Sequence, residues 1–310
     1  LIVAHAVFRA WLKYILNGWQ GRFWDAAGQA ASVSGDDTDA LEAGKTEISS
    51  LLVEFAAIVS PNIIVHPVYR WLINRWCLSW RLSLSRAYIG NWNRNAVRIE
   101  GAAQRIHEDA MRFGRGLQTC CATVLDSLCT LVVFSPLLVQ LGAEVQPWVS
   151  TPHAWLMVLC ILVSTGGSAG SAMLGWSLVD LEVDNQRKEA AFRTQLVLYE
   201  ENALIADRPE ASTNGDWPLP AFVLSIAALK KNYIRLYAAF ARFSVWLSTF
   251  EQAVTLLPYI ITAPLLYAND PERRVSLGVI SQTASAFSTC FSSLAILAEN
   301  WISVTDMIST

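Results

Sequence analysis

Charge is what this chain has least of. Only 16% of its 310 residues are Asp, Glu, Lys or Arg, against about 25% in an average soluble chain, so an ordinary water-solvated surface is excluded for much of it. The charges that remain nearly cancel, at -3 net, and no basic patch is interleaved with aromatics. Nucleic acid is therefore not an expected partner. Cysteine is sparse too. Positions 77, 120, 121, 129, 160 and 290 show neither a CxxC pair nor a Cys/His ligand spacing, so they read as small apolar core residues. The four histidines, His5, His66, His107 and His153, are scattered. No metal and no cofactor are expected. A paired-histidine zinc motif is missing, which argues against metal-dependent hydrolysis.

Apolar residues are plentiful instead: 53% of the chain, with 13 tryptophans and a mean hydropathy of +0.34. Indole rings collect where hydrocarbon meets headgroups. A bilayer core of about 30 Å needs about 20 mostly apolar helical residues. Four windows have that character: 48–74, with Glu54 as its acid; 119–142, with Asp126 its only charge; 153–179, uncharged; and 246–268, with Glu251 alone. Two are weaker. Residues 1–16 retain Arg9 and Lys13, and 275–300 are rich in Ser and Thr, which suits a helix facing a bundle or a wet cavity.

Lys and Arg beside the spans give the orientation. Nine arginines against three acids fall between 70 and 115, and a second basic stretch runs from 187 to 242, whereas "SGDDTDALEAGKTE" at 34–47 is mostly acidic. Both basic stretches are expected in the cytoplasm, with out-facing loops near 17–46, 143–152 and 269–275. The in-facing segments, 75–117 and 180–245, are long and helix-like, so the spans are expected to continue past the membrane as rods. Helical spacing pairs Arg105 with Asp109, Glu108 with Arg112, Arg193 with Glu189 and Arg187 with Asp184. "RPEASTNGDWPLP" at 208–220 breaks the second rod, and the helix resumes near 221. The chain opens on Leu1 with no charged leader, and reads as a piece of a longer one.

Acids inside a membrane are costly and usually functional. Glu251 and Glu299 are expected to carry protons or line a cavity, with Asp306 at the inner rim. Asp126 is expected to pair with a Ser, Thr or base on a neighbouring helix, and Glu54 to lie near the outer mouth. "STGGSAGSAMLG" at 164–175 invites a phosphate-loop reading, but it sits in an uncharged span and lacks the loop's lysine. Gly166 and Gly170 give instead a small face for close helix approach. Pro61, Pro67, Pro136, Pro258 and Pro264 are plausible kinks.

"IEGAAQRIHEDAMRF" at 99–113, "NQRKEAAFR" at 185–193, "KNYIRLY" at 231–237 and "NGWQGRFWDA" at 17–26 resemble motifs of the SbmA/BacA family of bacterial peptide transporters, in order and over nearly the whole chain. The resemblance implies an all-α integral membrane protein: an ABC-exporter-like transmembrane helical bundle with long cytoplasmic helix extensions, forming a homodimer and lacking a nucleotide-binding domain. It implies proton-driven import of peptides, including proline-rich antimicrobial peptides and peptide-like antibiotics, across the inner membrane. Glu100, Arg105, Glu108, Asp109 and Arg112 match the first motif. Glu182, Arg187, Glu189, Arg193 and Glu200 match the second, and Lys231, Tyr233, Arg235 and Tyr237 the third. Gln195 stands where an acid is expected, which breaks a ladder of carboxylates by one rung. Two other classes stay open: the membrane half of an ATP-driven transporter, such as the fatty acyl-CoA carriers that share this bundle, and a non-transporting scaffold.

Overall fold

A computed structural model describes residues 1–32, 37–92, 110–146, 152–206, 219–268, 270 and 273–309. Over them the chain forms six α-helices: α1 (Ile2–Ser32), α2 (Thr38–Trp92), α3 (Ala110–Glu144), α4 (Trp155–Ala206), α5 (Leu219–Thr262) and α6 (Leu277–Ser309), with a 3-10 turn at Ala263–Tyr267. At 1.5 Å per residue, the 55 residues of α2 extend about 80 Å, well beyond a bilayer core of about 30 Å. The long rods expected from the sequence are present in this sense.

Two boundaries differ from expectation. Helix α1 does not stop near residue 16 but continues to Ser32, and α2 begins at Thr38, so most of the stretch 17–46 is helical rather than loop. No proline interrupts residues 1–60. Asp37 starts α2 by accepting a hydrogen bond from the Ala40 N–H at 3.2 Å, which satisfies one of the donors a helix N-terminus leaves open.

Among the described residues, four helices contain stretches long and apolar enough to cross a membrane: those within Thr38–Gly90, Gly114–Glu144, Trp155–Leu198 and Leu277–Ile296. Three carry windows expected to be strong. The fourth strong window, 246–268, is cut where α5 ends at Thr262 and the 3-10 turn begins, with Pro264 preventing continuation. The Ser/Thr-rich α6 qualifies instead, and 44% of its window is buried within the protein, against 6% for α2. The hydroxyls of Ser281, Thr283 and Ser293 on α6 are buried, while α2 exposes Val53, Ile63, Ile64 and Trp71.

The described helices pack as two compact units. In the first, residues 1–165 and 254–310, α1, α3 and α6 pack mutually, and α2 lies against α1 and α3. Its core holds Phe134, Leu138 and Leu141 of α3, Leu156 and Cys160 of α4, and Ala286, Phe287 and Cys290 of α6. The α3–α4 connection is tied by the Trp155 indole N–H, which donates to the carbonyls of Gly142 at 2.9 Å and Val145 at 3.0 Å, acceptors that a helix C-terminus leaves unpaired.

In the second unit, residues 166–253, Leu178, Leu236 and Ala239 form a small core with Leu181, Tyr233 and Phe243 around it. The glycine run of α4 works as a packing face, with a change of register from the expected one. Gly166 has nothing near it; Gly167 lies against Phe250, Gly170 would bring a Cβ to 2.8 Å from the Trp246 ring, and Gly175 faces Phe243. The run 167, 170, 175 is one helical stripe that accepts three aromatics of α5, and the Trp246 indole N–H donates to Ser171 Oγ at 3.2 Å beside it.

Candidate functional site

In the first unit, one stripe of α1 gathers His5, Arg9 and Lys13, spaced four residues apart and so on one face. Opposite them on α3 stands Asp126, the only charge of its apolar window. Lys13 Nζ donates to Asp126 Oδ2 at 3.2 Å and to Thr130 Oγ1 at 3.1 Å, and Arg9 Nε lies 3.5 Å from Asp126 Oδ1. The pair is partly sheltered, with Asp126 at 21% side-chain exposure, Lys13 at 33% and Arg9 at 42%. From α2, Tyr69 stacks on the His5 ring at 3.7 Å between centroids and His66 lies 5.6 Å away. Histidines that looked scattered along the sequence are brought together here, because α1 and α2 run antiparallel. The pairing of His5, Arg9 and Lys13 at i, i+4 and i+8 was the signal that could have found them.

Asp126 thus meets two bases of a neighbouring helix. Two buried polar atoms in this cluster have no hydrogen-bond partner: His5 Nε2 and Asp126 Oδ1. Buried polar groups are paired in the great majority of cases.

Farther along α1, "NGWQGRFWDA" serves as a clamp on the beginning of α6. Asn17 Nδ2 donates to the Gln282 carbonyl at 3.0 Å, Gln20 Nε2 to Ser281 Oγ at 3.0 Å, and the Gly278 N–H to Asp25 Oδ1 at 2.7 Å. Gly278 is a position only glycine fits, since a Cβ there would collide with the Gly21 carbonyl and the Asp25 carboxyl. The Trp19 indole N–H reaches the Leu51 carbonyl at 2.8 Å, and Arg22 grips Glu54 through both guanidinium nitrogens at 3.0 and 2.6 Å. Glu54 is therefore one half of an exposed, two-pronged ion pair.

In the second unit, the helices carrying the second and third sequence motifs meet. Asp184 takes Lys188 rather than Arg187, at 2.5 Å. Lys188 also donates to Asn232 Oδ1 at 3.2 Å, and the buried Asn232 donates through Nδ2 to the buried Asn185 at 3.2 Å. The Tyr233 hydroxyl donates to Glu189 Oε1 at 2.6 Å. That carboxylate, stabilised by the phenolic proton, holds the Tyr233 phenol above its ordinary value of 10. Glu182 is half-buried, while Arg187, Arg193, Glu200, Lys231, Arg235 and Tyr237 are exposed on the rods. Asn185, Lys188 and Asn232 lie inside the quoted motifs but were not named as site residues, the two amides because an uncharged side chain carries no conspicuous signal.

Glu251 is exposed on α5. Glu299 lies on α6 and Arg112 on α3, but their side chains are outside the described residues, as are Glu100, Arg105, Glu108 and Asp109 entirely. The expected pairs Arg105 with Asp109 and Glu108 with Arg112 thus lie outside what the structure describes.

The SbmA/BacA-like family model matches residues 1–310, the whole chain. The chain belongs to that family. It is also similar to the inner membrane ABC transporter ATP-binding protein YddA of Escherichia coli, at 23% identity over 88% of this chain and 48% of that protein. An ABC transporter ATP-binding protein of Synechocystis is 24% identical over 82% of this chain and 37% of its own length. The ABC transporter D family member 2 of Arabidopsis, a chloroplastic protein, is 24% identical over 68% and 28%. The chain spans less than half the length of these curated relatives. Family and helices together make this an all-helical, multi-pass membrane domain of a transporter, of the ABC-exporter-like kind.

Proposed function

We propose that the chain is the membrane domain of a proton-driven importer of peptides, such as antimicrobial or proline-rich peptides and peptide-like antibiotics, acting as a homodimer in the inner (plasma) membrane. The observation that carries this reading is Asp126: a sheltered carboxylate at 21% exposure, in an apolar window, held by Lys13 and Arg9 across two helices. Such a charge is expensive in lipid and is retained where it does work. Whole-chain membership of the SbmA/BacA-like family supports it. In this scheme Asp126, Glu251 and Glu299 belong to the membrane portion, and Glu182, Glu189 and Glu200 to the inward rod, where carboxylates hand protons to water. Arg187, Arg193, Lys231, Arg235 and Tyr237, exposed on the same rods, form the wet face. Glu54 sits at the outer mouth with Arg22.

A second reading has its own support. The similar proteins are named as ABC transporters, two of them as ATP-binding proteins, and the chain covers 48%, 37% and 28% of them, which fits the membrane half of an ATP-driven transporter of the fatty acyl-CoA type. Uptake of a labelled proline-rich peptide into proteoliposomes containing the full-length protein separates the two. The proposal expects accumulation that follows an imposed pH gradient, acid outside, without nucleotide. Accumulation that ignores the gradient and requires ATP would establish the alternative.

A further inference from the structure

His5 is nearly buried, at 9% exposure, with one face of its ring stacked on Tyr69 and His66 beside it. Its Nε2 is sealed from solvent and unbonded, and Asp126 Oδ1 across the helix interface, though 3.5 Å from Arg9 Nε, makes no hydrogen bond. Two of the five buried side-chain atoms without a hydrogen bond among the described residues therefore fall in one cluster. One of them can change from acceptor to donor by taking a proton, and the other is an acceptor in every ionised state. Imidazole is also the side chain whose ordinary titration lies within about pH 5 to 8, the range spanned by the two faces of an energised membrane.

We propose that His5 is a proton-binding residue of the transport cycle, taking the proton at Nε2 and sharing Asp126 with Lys13 and Arg9 while it is charged. The inference rests on the proton-coupled reading above. A proton from outer water adds one positive charge to a cluster that already holds Arg9, Lys13 and Asp126. The protonated ring adds a third cation of α1 beside the Asp126 carboxylate of α3, which tightens the tie between α1 and α3 and shares that carboxylate among His5, Arg9 and Lys13, and release of the same proton to the inner side loosens it. His5 lies 12 residues from the Asn17 clamp, about 18 Å along α1, so this tie can loosen while the clamp on α6 stays shut. The groups that face His5 are Arg9 on its own helix, His66 and Tyr69 on α2, and Asp126 on α3. Helix α6 also packs on α1. Its one titratable side chain between 277 and 296 is Cys290, which faces Cys160.

The test is the dependence of peptide uptake on outside pH, in proteoliposomes of the full-length protein with the lumen held fixed. A single titrating group changes its protonated fraction about tenfold per pH unit beyond its midpoint, so wild-type uptake is expected to rise steeply toward acid and level off. His5→Gln is expected to flatten that rise to about twofold or less over the pH 5 to 8 range, with equilibrium binding of the peptide unchanged. Arg9→Gln, which keeps His5 but removes a repelling cation, is expected to move the midpoint to higher pH. It decides the matter if His5→Gln does not fold. A His5→Gln protein with the wild-type rise, or an Arg9→Gln protein with an unmoved midpoint, overturns the role of His5 and leaves the two atoms to a bridging structural water. A wild-type profile that is flat throughout overturns the proton-coupled reading itself, and this inference with it.

Discussion

The two polar networks of this molecule are built from the same materials and finished differently. In the second unit, Asp184, Asn185, Lys188, Glu189, Asn232 and Tyr233 form a chain of hydrogen bonds in which none of the buried side-chain atoms lacks a partner. In the first, Asp126 is gripped by Lys13 through Oδ2, while its Oδ1 meets Arg9 only as an ion pair at 3.5 Å without a hydrogen bond and the His5 Nε2 has no hydrogen-bond partner. A satisfied network fixes one packing of two helices, because any rearrangement leaves groups unpaired. An incompletely satisfied one has a second arrangement available to it. The difference separates polar groups that hold the bundle from those able to change state.

Breaking each network tests this contrast. The largest effect is expected from Asp126→Asn, which leaves Lys13 and Arg9 facing a neutral amide: peptide uptake should fall at least about tenfold, and stability by about 1–3 kcal/mol, less than for a fully buried pair because the cations are partly in water. Uptake rates and thermal unfolding in detergent read the two quantities separately. Gly170→Ala comes next. Its new Cβ would stand 2.8 Å from the Trp246 ring, and overpacking of this kind costs about 1–3 kcal/mol, visible as a lower unfolding temperature. Asn232→Ala, which strands Asn185 and one Lys188 donor, is expected to cost about 1–2 kcal/mol while leaving the pH profile of uptake unmoved per folded molecule.

Smaller still is the Tyr233 effect. Because its folded value lies above the ordinary 10, the bond to Glu189 stabilises the fold fully below pH 10 and is lost as pH rises through the raised value. Ultraviolet titration should show Tyr233 ionising late, and Tyr233→Phe should shrink the late step by one tyrosine. Glu54→Gln, at an exposed ion pair, is expected to leave the unfolding temperature unchanged.

The helices and their apolar windows were legible in the sequence because hydropathy and the 3.6-residue period act locally. What was hidden is what depends on pairing between helices. The motif at 17–26 was visible as a pattern, but its work as a clamp depends on Gly278 and Gln282, more than 250 residues away. Asp126 stood out as a lone charge and its need for a Ser, Thr or basic partner followed from desolvation, whereas the choice of Lys13, Thr130 and Arg9 required the α1–α3 contact. His5 and His66 were read as isolated for the same reason. The register of the glycine face was off by one because Gly166 and Gly167 are indistinguishable until Phe250 selects between them. The end of α5 at Thr262 was obscured by an apolar run that continues straight through Pro264.

Peptide-triggered acidification of the vesicle lumen, followed with a trapped pH dye in proteoliposomes of the full-length protein, tests the central contrast most directly. Wild type and Asn232→Leu should both acidify the lumen when peptide is added outside, and Asp126→Asn should not. Undiminished acidification by Asp126→Asn, with loss of the signal in a folded Asn232→Leu protein, would contradict the assignment of coupling to the first network and of support to the second.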